Sequence, residues 1–160
     1  MSTQLQTAFK DILAMPHFAN QHSAGTKRHD SHEEALADVF VKAGFQEDIQ
    51  LTIGKNSKGR KIKVLKYTKL KKAALLKAIE LDGTARQAAI SKLVPGMANG
   101  TFIRQPAGSQ SFPDFLICDF SGKFVVIEAK SGNGAGPVWN DSLPRAGSIY
   151  VMSSGKYDKS

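Results

Sequence analysis

Residues 111–130, SFPDFLICDFSGKFVVIEAK, constrain this chain more than any other stretch, because they read as two strands joined by a tight turn. Ser121-Gly122 supplies the turn, and Asp114 opens the first strand. The second strand, residues 123–130, is apolar and β-branched through Phe124, Val125, Val126 and Ile127. It then offers Glu128 and Lys130, two residues apart and so on one face. Antiparallel pairing about the turn would bring Asp114 opposite the Glu128/Lys130 end. Two carboxylates and an ammonium then meet at one edge of a sheet.

Charge at a half-buried strand end is costly unless it is paired or holds a metal. An acidic pair suits Mg²⁺, a hard cation that takes oxygen ligands, keeps several waters and often bridges to phosphate. Lys130 beside it could lower the pKa of an attacking water or offset charge on a transferring phosphate. The set fits hydrolysis of a phosphodiester. The plain alternative is an exposed hairpin whose acid and lysine form a surface ion pair of little energetic value.

Pro113-Asp114, a gap, then Glu128-Ala129-Lys130 resembles the PD-(D/E)XK signature of type II restriction endonucleases, archaeal Holliday-junction resolvases and repair nucleases. The resemblance implies an α/β fold, a mixed central β-sheet flanked by helices, over about residues 31–152. It implies Asp114 and Glu128 as metal ligands, with the Ala129 backbone carbonyl completing the coordination and Lys130 helping to activate water. The cofactor would be Mg²⁺, with Mn²⁺ as a substitute. In these nucleases the first core helix often adds a metal-linked glutamate, and the matching position here is Glu33. The other reading of Glu33 is a helix-start acid favoured by the dipole.

Charge placement points the same way. The chain carries a formal net charge of +8, and all ten charged residues from Lys55 to Lys77 are basic. Such a run predicts a polyanionic partner, since each phosphate neutralised releases condensed counterions; a solvated polar face is the alternative. Lys55, Lys58, Arg60 and Lys61 lie at the tip of a hairpin predicted from the alternation of Ile49, Leu51 and Ile53, then Ile62 and Val64. Arg104, Ser109 and Gln110 lead into Asp114 in a loop resembling the Gly-Ser-Gln approach of some restriction enzymes, and Asn140 joins them as a candidate DNA contact. A plain strand connection would also explain that loop.

Elsewhere, residues 3–15 predict an amphipathic helix ended by Pro16, and residues 17–30 a polar loop whose histidines sit at the surface. Ser31 and Glu34 have the S-x-x-E form of a capping box, opening a helix to about Ala43 with Leu36, Val39, Phe40 and Ala43 on one face. Residues 68–81 predict a helix with Leu70, Ala74, Ala78 and Leu81 inward, residues 84–94 a second, and residues 148–152 a last strand. Cys118, the lone cysteine, is expected as a buried thiol. With His17, His22, His29 and His32 at no convincing ligand spacing, zinc is not expected.

At 160 residues a single nuclease domain is expected, with no apolar run long enough to cross a bilayer. A cytoplasmic protein, prokaryotic or phage-encoded, follows as the expected setting. After Lys130 the chain departs from its relatives, offering only a short turn around Trp139 where they place a substantial helix. The fold is therefore abbreviated, completed by a partner, or truncated at the C-terminus; Trp139, Ile149, Tyr150 and Val151 are candidate interface residues. The function expected is Mg²⁺-dependent cleavage of double-stranded DNA by a homodimeric type II restriction endonuclease, because the long segment between Ala43 and Asp114 favours added recognition elements. A Holliday-junction resolvase and a non-cleaving DNA-binding module stand as alternatives.

Overall fold

The computed structural model describes residues 1–17, 32–65, 72–108, 111–132, 134–135 and 144–157. Along them run α1 (Thr3–Leu13), α2 (His32–Lys42), β1 (Gln46–Glu47), β2 (Leu51–Lys55), β3 (Lys61–Leu65), α3 (Lys72–Glu80), α4 (Gly83–Leu93), β4 (Thr101–Arg104), β5 (Phe115–Cys118), β6 (Phe124–Gly132) and β7 (Ile149–Ser154). Five strands form a mixed sheet in the order β1-β4-β5-β6-β7, and β2 with β3 forms a separate two-stranded sheet. Strands β4, β5 and β6 pair antiparallel, whereas the outer pairs β1–β4 and β6–β7 are parallel. The architecture is α/β, a mixed central sheet flanked by helices.

Strand β5 lies at the middle of that sheet, and all four of its residues are buried. Phe115 and Ile117 join a cluster with residues of α1 and α2, while Leu116 and Cys118 join one with residues of α3 and α4. A strand covered on both faces has no polar side to show, which is why FLIC is uninterrupted apolar sequence. Phe40 of α2 packs against Phe115 and Phe102 with ring centroids 5.3 and 5.7 Å away. Truncating a phenylalanine so placed costs about 3–5 kcal/mol. That packing fixes α2 over the sheet.

The β5–β6 turn is organised by a residue whose role the sequence does not announce. Asp119 is fully buried, and its Oδ1 accepts from the Ser121 N–H at 2.8 Å, the Ser121 hydroxyl at 2.6 Å and the Lys123 N–H at 3.0 Å. Gly122, at φ +79°, provides the left-handed residue that closes the turn. Asp119 Oδ2 accepts from the Ser2 N–H at 2.8 Å, tying the start of α1 to the hairpin. Burial alone would raise this carboxyl's pKa, but those donors outweigh it and hold the group below the usual carboxylate range. At the start of β6, where β7 does not reach, the Gln87 amide stands in for a neighbouring strand: it accepts from the Phe124 N–H at 2.6 Å and donates to its carbonyl at 3.0 Å.

Several expectations are corrected. The inward face of α3 is Leu75, Ala78 and Ile79, with Leu81 exposed. Phasing from Leu70, which lies outside the described residues, sets the wrong stripe. Ile149 and Val151 pack against the α1/α2 cluster and Tyr150 stacks on Phe112, so the chain itself partly covers these residues. His17 is buried, its Nδ1 2.7 Å from the Ser153 hydroxyl, and does not sit at the surface. Ser31 and Trp139 lie outside the described residues. Among those described, no helix is long and apolar enough to cross a membrane.

Candidate active site

The predicted hairpin places its functional groups by register. Phe115 pairs with Ile127 and Leu116 with Val126, so the next step outward sets Asp114 against Glu128 just beyond the end of β5. Asp114 Oδ2 accepts from the Ala129 N–H at 2.7 Å, and the Asp114 N–H donates to Glu128 Oε2 at 3.2 Å. The Lys130 ammonium donates to Glu128 Oε1 at 2.8 Å. Glu128 and Lys130 share one side of β6, while Ala129 between them is buried in the α1/α2 cluster. The Ala129 backbone, whose N–H is turned to Asp114, presents its carbonyl along the same edge of β6.

Electrostatics separates the members of the set. Burial, with Glu128 and Glu33 adding repulsion, pushes the Asp114 carboxyl up to about 7, although the Ala129 N–H and Lys130 pull it down. Burial by itself would lower the pKa of Lys130. The hydrogen bond to Glu128 and the charges of Glu128 and Asp114 reverse this and hold it above the ordinary lysine value. Lys130 therefore stays cationic at neutral pH, whereas Asp114 lies near its midpoint. A neutralising cation at Asp114 would relieve the repulsion.

Helix α2 brings a third acid. A carboxylate oxygen of Glu33, an imidazole nitrogen of His32 and a carboxylate oxygen of Asp114 all lie within 4.8 Å of one another, each residue half-buried. The Arg104 guanidinium forms two hydrogen bonds to Glu47, at 2.7 and 2.8 Å, and that bonding, with the charges of Glu47, Glu34 and Asp38, raises its pKa against the effect of burial. Any phosphate or base contact by Arg104 would compete with that pair. A hard divalent cation takes oxygen ligands, which Asp114 and Glu128, with the Ala129 carbonyl on the same edge, would supply; Glu33 lies beside Asp114 together with His32.

The sequence misses His32, because its partner Asp114 is far away along the chain. No spacing rule could connect them.

The other candidate contacts divide. Lys55, Lys58, Arg60 and Lys61 are exposed on the β2–β3 ribbon, apart from the central sheet. The Asn56 side chain accepts from the Lys58 and Arg60 N–H groups at 3.0 Å, so it shapes the tip. Ile49, Leu51, Ile53 and Ile62 of this region are exposed as well. Alternation here marks strands without a buried face. Ser109, Gln110 and Asn140 lie outside the described residues. No protein-family model matches this chain, and neither a curated protein nor a solved structure does.

Proposed function

We propose that the chain is a metal-dependent endonuclease hydrolysing DNA phosphodiester bonds, with a PD-(D/E)XK core most like that of a type II restriction endonuclease, acting as a homodimer on double-stranded DNA. The observation that carries this reading is the convergence of Asp114, Glu128 and Lys130 at the end of two paired strands. Mg²⁺ bound there would polarise the phosphate and lower the pKa of a coordinated water. The protein's own groups do the rest. Asp114, its Oδ2 anchored on the Ala129 N–H, gives up a proton when a cation binds, so binding strengthens as pH rises through neutrality. Lys130, held by Glu128, presents an ammonium to the phosphate charge that grows in the transition state.

The β2–β3 ribbon supports a duplex as the partner. Lys55 and Lys61 are directly opposite in register, and Lys63 lies on the same face. Like charges so paired are destabilising, and an isolated two-stranded ribbon is marginal in water. Phosphates would relieve the first, and a major groove, wide enough for such a ribbon, would brace the second.

The test is incubation of the full chain with plasmid DNA and Mg²⁺, followed by sequencing of the product ends. Fixed cut sites support a restriction enzyme, whereas preference for a four-way junction favours a resolvase. Asp114→Asn, Glu128→Gln and Lys130→Ala should each abolish cleavage while duplex binding largely persists, since phosphate contacts elsewhere supply much of the affinity. Cleavage by the Asp114→Asn protein would overturn the assignment.

A further inference from the structure

Tyr150 of β7 is paired directly with Glu128 of β6, so its side chain lies on the face of the sheet that also carries Lys130. Phe112, just ahead of Pro113-Asp114, stacks on the Tyr150 ring with centroids 6.4 Å apart. Arg145 extends this row: its Cζ lies 5.6 Å from the centre of the Phe112 ring, and its backbone N–H donates to the Tyr150 hydroxyl at 2.8 Å. An aromatic floor and a backbone tether thus hold a guanidinium near the Glu128–Lys130 pair.

Among the described residues no carboxylate forms an ion pair with that guanidinium. Its Nε is buried without a hydrogen-bond partner, as is the Ser148 hydroxyl a little further along the same loop. Arg86, which lies against Gly147 of this loop, is by contrast engaged: its Nε donates to the Ile79 and Leu81 carbonyls, and a terminal nitrogen faces Asp82. Lys130 is engaged on Glu128. A half-buried cation without a counter-ion is costly, and an anion arriving from outside relieves that cost. The planar fork of arginine suits phosphate in particular, because it donates two parallel bonds to two oxygens of one group.

We propose that Arg145 is a phosphate subsite: it grips the backbone phosphate next to the one lying over Glu128 and Lys130, and so positions the strand for cleavage. Its part in cleavage rests on the nuclease reading, but its hold on phosphate does not.

The first probe is a mixed-sequence linear duplex bound by the full chain with a chelator present, so that nothing is cut. Arg145→Met, which keeps bulk over Phe112 and removes the charge, should weaken binding by about tenfold and flatten the plot of log affinity against log salt by roughly 0.9. Arg145→Lys should keep the slope, because lysine still offers a point charge to phosphate. Circular dichroism checks that both variants are folded. The second probe is a duplex holding a mapped cut site, with the phosphate on either side of the cut replaced in turn by an uncharged methylphosphonate. One replacement should slow cleavage by the unmodified protein about tenfold and by Arg145→Met less than about twofold, since the contact is already lost. If plasmid DNA is not cut at all, the nuclease reading fails, and the salt slope still decides whether Arg145 holds a phosphate. A slope unchanged in folded Arg145→Met, a slope lost equally in Arg145→Lys, or a methylphosphonate effect of equal size with and without Arg145 would overturn the proposal.

Discussion

Asp114→Asn is expected to make the metal-free protein more stable at pH 8 while leaving it unchanged at pH 4.5. The Asp114 carboxyl titrates at about 7 in the fold, chiefly through burial and then through Glu128 and Glu33, against about 3.9 in an unfolded chain. The folded state thus holds the proton more tightly. Stability falls as pH rises between those two values and stays low above the upper one. Three pH units correspond to a ceiling of about 4 kcal/mol. Because Asp114 is only partly buried, solvent screening reduces the expected penalty to about 2 kcal/mol. An asparagine oxygen can still accept from the Ala129 N–H, so the charge is what the substitution removes. Urea unfolding followed by circular dichroism, with a chelator present, should show the variant gaining about 2 kcal/mol between pH 4.5 and pH 8. Added Mg²⁺ should narrow that gap by stabilising only the unsubstituted protein. A gap of equal size at both pH values, or a less stable variant at pH 8, would refute the electrostatic account of the site.

Two further outcomes follow from the same geometry. Replacing Lys58, Arg60 and Lys61 with alanine should flatten the plot of log affinity for duplex DNA against log salt by roughly 0.9 for each phosphate that is no longer neutralised; an unchanged slope would assign the ribbon to solubility. Asp119→Ala should cost about 3 kcal/mol, read by thermal unfolding, because it strips charged-acceptor bonds from the β5–β6 turn and from Ser2 together. A loss under about 1 kcal/mol would show that water replaces those bonds.

Much of the sheet centre was readable because its signals are local. Phe124 to Ile127 followed by Glu128 and Lys130 marks a strand leaving an apolar interior, and Ser121-Gly122 fixes the turn, so Asp114 falls opposite Glu128 by counting alone. The helix beginning at His32 was likewise announced by the Ser31/Glu34 pattern and its apolar face, whereas Glu33, which lies beside Asp114, was picked out through the resemblance to the nucleases. Alternation marked the β2–β3 hairpin correctly, while Leu51 and Ile53 on it stay exposed. It reports backbone conformation, and burial depends on what covers the strand.

The order of residues was thus enough for the β5–β6 hairpin, the convergence of Asp114, Glu128 and Lys130, and the basic character of the β2–β3 ribbon. Each depends on residues near one another along the chain, where pleat, helical period and charge density act directly. It took the folded chain to show that His32 joins Asp114, that Asp119 anchors the start of α1, that Glu47 engages Arg104, and that Ile149 and Val151 pack against the α1/α2 cluster. Those contacts arise when α1 and α2 settle on one face of the sheet and β7 adds to its edge. They follow from packing between distant segments, which leaves no periodic mark on either.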